Sequence, residues 1–207
     1  MSKQKIVVFG TGGTIAGKAA SMSDNVGYKA GEVAIGELLA NIPGMQAALQ
    51  GHELVAQQVA QIDSKDMGFD VWRALAMGCR DAMADPDVRG IVITHGTDTL
   101  EETAWFLQSI LSPEIPVVLT SAMRPATALS PDGPQNLLDA VAVAFEPDAR
   151  GVLAVAAGTV HEARWVHKAF PYRVDAFSSG EAGPCGWVEE GRVRWLRRPS
   201  TQANSSH

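Results

Sequence analysis

Five short strand-like runs, at 5–9, 54–60, 90–94, 116–120 and 152–156, recur along the chain with helical patterns between them. Such alternation admits few folds. A run that is apolar on both sides of its pleat must be covered on both faces, and short strands separated by helices predict βαβ units. The expectation is an α/β fold: an open, mainly parallel sheet with helices on both faces. Residues 66–84 put Trp72, Leu75, Ala76, Cys79 and Met83 on one helical face, and 99–111 align Leu100, Ala104, Leu107 and Leu111. Pro134 opens a further helix, at a position where its missing N–H costs nothing, and that helix stops before Pro147. Beyond about residue 170 the text turns to short strands, and Gly183–Trp195 reads as a C-terminal β-hairpin around Glu190-Gly191.

The two richest turns follow the first and third runs. One reads Gly10-Thr11-Gly12-Gly13-Thr14-Ile15-Ala16-Gly17, the other Thr94-His95-Gly96-Thr97-Asp98-Thr99. In an open parallel sheet both lie at the carboxyl ends of strands, where ligands bind. Nucleotide binding does not fit. The dinucleotide fingerprint needs Gly or Ala where Ile15 stands, and Gly17-Lys18-Ala19 fails the phosphate-loop pattern. Hydrolysis fits better, since a threonine hydroxyl with a base nearby is a nucleophile, and turn glycines leave a bound carbonyl open to attack. The same glycines offer N–H groups to an oxyanion, each donor worth about 10²–10³ in rate. Plainer roles stay open: Thr14 as a turn residue, Thr97 or Asp98 as a helix N-cap, and His95, His161 and His167 as structural histidines.

Composition narrows the field. A net charge of −6 and no basic stripe disfavour a nucleic-acid partner. No eighteen-residue apolar run occurs, so no membrane span is expected. Two widely separated cysteines, Cys79 and Cys185, form neither a metal motif nor a disulfide framework, and the cytoplasm is the expected compartment. Residues 17–31 carry no apolar face and are expected to form a lid loop. The domain is expected to span 1–199, with a disordered tail at 200–207.

Several co-linear segments resemble the bacterial-type L-asparaginases. They are the two threonine turns, Ala122-Met123-Arg124-Pro125, Ser130 to Leu137, Arg150-Gly151-Val152-Leu153 and Gly183-Pro184-Cys185-Gly186. The resemblance implies an amidohydrolase that converts L-asparagine to L-aspartate and ammonia through a threonyl-acyl intermediate, without cofactor or metal. It makes Thr14 the primary nucleophile and Tyr28 the lid tyrosine that assists it. Thr97, Asp98 and Lys168 match a second triad, with Lys168 partly desolvated so that its neutral form serves as base toward Thr97. Substrate contacts fall on Gly13, Ser64, Lys65, Gly96, Asp98 and Ala122: Ser64 for the α-carboxylate, Asp98 for the ammonium, Ala122 for the side-chain amide.

Two departures stand out. Lys65 occupies a position where the family usually has glutamine, and the second α/β domain that usually follows is not found after residue 199. The alternatives are a naturally short enzyme, a cut piece of a longer chain, or a binding module for acidic amino acids; the intact threonine turns favour an active enzyme with weakened substrate binding. A preference for glutamine or another small amide is the runner-up. Self-association into dimers or tetramers is expected, from apolar surface at Trp187, Trp195 and Leu196.

Overall fold

The computed structural model describes residues 4–18 and 30–201. Tyr28, most of the expected lid loop and residues 202–207 of the expected tail lie outside the described residues.

β1 (Lys5–Gly12), β2 (Glu53–Ile62), β3 (Val88–Thr94), β4 (Val117–Thr120) and β5 (Val152–Ala156) pair in parallel in the order β2-β1-β3-β4-β5. Period-two alternation sends their side chains to two separate cores. Ile6, Val8, Val92, Val118 and Leu153 face one side, under α1 (Ile35–Ala40), α2 (Met45–Ala48) and α5 (Gly133–Phe145). Val7, Phe9, Ile91, Ile93, Val117 and Leu119 face the other, under α3 (Phe69–Met83) and α4 (Leu100–Leu111). Helices therefore cover both faces. Of the expected α3 stripe, Leu75, Ala76 and Cys79 are buried while Trp72 and Met83 sit half-exposed at its margin.

The C-terminal part goes beyond what the turn signals suggested. β6 (Thr159–Glu162) returns antiparallel to β5, and the hairpin of β9 (Gly186–Glu189) and β10 (Arg192–Trp195) continues from it, giving an eight-stranded sheet. Pairing onto β6 extends the sheet, and α5 packs over the hairpin face that carries Val188, Val193 and Trp195. Trp187 and Trp195 are accordingly half-buried, Trp195 against the core, and only Leu196 is exposed as expected. The short α1 and α2, which carry no strong period, were not legible as helices. A separate two-stranded ribbon, β7 (His167–Lys168) with β8 (Phe177–Ser178), lies beside α4.

Strand order decides where a ligand can sit. From β1 the chain crosses to β2 on one side and then to β3 on the other, so the connections diverge at the carboxyl ends of β1 and β3. Diverging connections leave a crevice there. Among the described residues no helix is long and apolar enough to cross a membrane.

Candidate active site

The crevice at the β1/β3 divergence is a cleft of about 230 Å³ lined by both threonine turns, Asp63, Ser64, Met123, Lys168 and the Pro171-Tyr172 segment. The two turns meet main chain to main chain. Gly13 (φ +78°) lies so close to Gly96 that a Cβ on it would stand 2.5 Å from the Gly96 Cα and N. A Cβ on Gly96 would collide with the Ser64 Oγ. The two turns thus meet backbone to backbone with the Ser64 side chain packed on the seam, which explains why glycine is required at these positions.

Each turn spends some hydroxyls on structure. Thr11 is buried and donates to the Thr94 carbonyl at 2.8 Å, tying β1 to β3 below the site. Thr14, in a one-turn 3₁₀ helix just past β1, is buried in the floor of the cleft. At the other turn, Lys168 Nζ donates to Thr97 Oγ1 at 2.8 Å and to Asp98 Oδ1 at 2.6 Å. A hydroxyl that accepts from an ammonium must direct its own hydrogen elsewhere. Neither Thr97 nor Asp98 caps a helix; Thr99 stands at the start of α4, and its hydroxyl goes to the Ser64 carbonyl at 2.8 Å. Ser64 Oγ in turn accepts the Asp98 N–H at 3.2 Å. The Gly13 N–H is already given to the Ile62 carbonyl at 2.9 Å, so that glycine does not supply the expected oxyanion donor.

Two expected substrate contacts are not brought to the cleft. Lys65 turns outward because Asp63 and Asp66 hold its ammonium at 2.6 and 3.5 Å, leaving the side chain 64% exposed. Ala122 is buried in the core behind the wall, and its neighbour Met123 faces the cleft instead. Asp132 holds that turn in place by accepting the Met123 and Arg124 N–H groups, both at 2.9 Å.

Asp63, Met123, Pro171 and Tyr172 were not singled out in the sequence. Asp63 could have been: it precedes Ser64, and its carboxylate caps the short turn that presents the serine. Burial opposes its ionisation, but bonds from the Lys65 side chain and main chain outweigh that and hold its carboxyl below the usual range. Asp63 and Asp98 therefore place two carboxylates on one small cleft. Among the described residues no three His, Cys, Asp or Glu side chains are grouped to hold a metal ion.

His95 is fully buried behind the second turn. Thr103 Oγ1 accepts the Trp72 indole N–H at 2.8 Å, so its single hydrogen is free for His95 Nε2 at 2.9 Å. Nδ1 must then carry the ring proton, which it donates to the Gly96 carbonyl at 2.7 Å. This is a structural histidine, held neutral. Burial pushes its pKa down to about 4 from 6.5, and His161 is lowered to the same level by burial and then by the charge of His167. A base whose folded pKa is depressed stabilises fully above the unfolded value and loses that contribution as pH falls toward the folded one. Unfolding free energy should thus drop between pH 6.5 and 4, by about 3 kcal/mol for His95 alone. Asp139, raised by burial, works in the opposite direction, so the comparison to make is wild type against His95→Gln by urea unfolding across this window. An identical slope in the two proteins would contradict the assignment.

Comparison with known proteins agrees with this geometry. The asparaginase N-terminal domain family matches residues 5–201. A glutaminase-asparaginase from Pseudomonas fluorescens biotype A is 41% identical over 197 residues, covering 94% of this chain and 53% of its own length. L-asparaginase 2 of Escherichia coli is 39% identical, covering 97% of this chain and 56% of its own. The crystal structure of a probable cytoplasmic L-asparaginase from Campylobacter jejuni superposes with a TM-score of 0.90 at 40% identity, over 95% of this chain and 59% of that one. The chain spans a little over half the length of these relatives. On sequence, fold and a cleft built from both threonine turns, the chain belongs to the asparaginase family, which it matches through the N-terminal domain.

Proposed function

We propose that this protein is an L-asparagine amidohydrolase acting through a threonyl-acyl intermediate. The observation that carries the reading is one shared cleft, with Thr14 on one side and, on the other, Thr97 bonded to the Lys168 ammonium that also binds Asp98. Thr14 Oγ attacks the carboxamide carbon. The Oγ–C bond forms, the C–N bond breaks, and the threonine proton leaves with the nitrogen as ammonia. Water then cleaves the ester, releasing aspartate and restoring the hydroxyl. Thr97, with Lys168 and Asp98, serves the proton transfers in both halves. Tyr28 assists Thr14, as the family resemblance implies. Ser64, with the Gly13–Gly96 seam behind it, receives the α-carboxylate, and Asp63 with Asp98 receives the ammonium. Lys65 is left out of the substrate set, because Asp63 and Asp66 hold its ammonium and the side chain is largely exposed.

Glutamine is proposed as a second substrate, since Met123 and Tyr172 line the cleft and the Pseudomonas fluorescens relative is named a glutaminase-asparaginase. The cytoplasm as compartment is supported by two buried free thiols. Self-association remains part of the proposal, with Leu196 the exposed residue of the three that suggested it. The deciding experiment measures ammonia release from asparagine and glutamine in parallel, with thermal stabilisation by aspartate alongside. Turnover of asparagine is expected; stabilisation by aspartate without turnover of either amide would make the protein a binding module instead.

A further inference from the structure

Lys168 reaches the cleft from an unusual support. It lies on β7, in a two-residue ribbon outside the main sheet, where register pairs His167 with Ser178 and Lys168 with Phe177. In an antiparallel ribbon successive N–H groups point alternately toward and away from the partner strand. Just past β7, where the regular alternation ends, the Ala169 and Phe170 amides both turn inward to the Ala176 carbonyl. The Lys168 amide faces out, toward α4, and there the Glu101 Oε2 accepts it. Glu101 lies in the first turn of α4, four residues beyond Thr97, with its carboxylate at the helix end where negative charge is favoured.

One short segment therefore holds Lys168 at two points. Thr97 and Asp98 take its ammonium at 2.8 and 2.6 Å, and Glu101 takes its main-chain N–H. The side chain alone would leave the ribbon free to shift along a long flexible stem. The second bond fixes the root of that stem against the helix that carries the turn. We propose that Glu101 is a positioning residue that registers the β7–β8 ribbon on α4 and so sets the Lys168 ammonium on Thr97. The functional half of this statement rests on the reading proposed above; the grip itself is independent of it. Glu102, the exposed neighbour, makes no such contact and serves as the control.

The test uses Glu101→Ala, Glu101→Gln and Glu102→Ala in the full chain. Glutamine keeps an acceptor oxygen without the charge. Two measurements need no turnover: hydrogen exchange at the Lys168 amide, and trace acetylation of lysines read by mass spectrometry, with Lys5 as an internal reference. In Glu101→Ala the Lys168 amide should lose protection and its Nζ should acetylate several-fold faster. The rate constant for ammonia release should fall about tenfold to a hundredfold at nearly constant KM, the size expected from misplacing a reacting group by about an ångström. Glu101→Gln should restore all three readings toward wild type, and Glu102→Ala should match it. Unchanged protection and acetylation in Glu101→Ala would overturn the proposal, as would equal damage in Glu101→Gln. A wild-type protein that hydrolyses neither amide would refute the hydrolase reading alone, and exchange and acetylation would still decide the grip.

Discussion

Thr97→Val should reduce ammonia release from L-asparagine by about 10³-fold or more, the scale on which removing one member of a catalytic unit acts. Valine keeps the branched shape at a position only 6% exposed, so packing in the turn is preserved. What disappears is one oxygen. Lys168 loses its 2.8 Å contact but keeps Asp98 at 2.6 Å, so its charge is not left unpaired. The cost in folding stability should stay at about 1 kcal/mol, that of one hydrogen bond. Activity and stability should therefore separate cleanly, which a thermal melt beside the ammonia assay will register. Retention of more than about a tenth of the activity would remove Thr97 from the proposed chemistry, since general acid–base groups rarely contribute so little.

Gly13→Ala should act through architecture. The new methyl would need the space of the Gly96 backbone, 2.5 Å away, at a φ of +78° that L-residues adopt at a cost. Neither neighbour can yield as a flexible side chain would: the contact is main chain, and the Gly96 carbonyl is anchored to His95 at 2.7 Å. Urea unfolding should show a loss of about 3 kcal/mol or more, from overpacking plus strain. The turns should part, so that a saturating substrate would not restore the rate. An alanine variant with native stability would mean that the seam is looser than the contact distances imply. The test is strict because no hydroxyl or charge is altered.

Much of this was legible in the sequence, for identifiable reasons. The apolar runs at 5–9, 90–94 and 152–156 fall within β1, β3 and β5, because central parallel strands covered on both faces are built mainly from apolar residues. Pro134 marked the start of α5 to within one residue. By contrast α1 and α2 are only six and four residues long, too short for a helical period to show. β6 was hidden because His161 and Glu162 look like loop residues until the fold buries them. The site divides in the same way. Hydroxyls and glycines at strand ends announce themselves by local pattern. Lys168 is a lone lysine until tertiary contact brings it within 2.8 Å of Thr97, across 71 positions of chain. Lys65 shows the reverse: it sits beside Ser64 in sequence, yet two neighbouring acids turn it away.

The seam between Gly13 and Gly96 has a consequence for how such a molecule can diverge. Its spacing is dictated by peptide units, which substitution elsewhere leaves alone, so the distance between the two alcohols is inherited with the strand order. The borders of the cavity, Met123 on one loop and Pro171 with Tyr172 on another, can be exchanged without touching that distance. On the proposed function, descendants are thus free to trade one amide for another while the reaction itself stays the same.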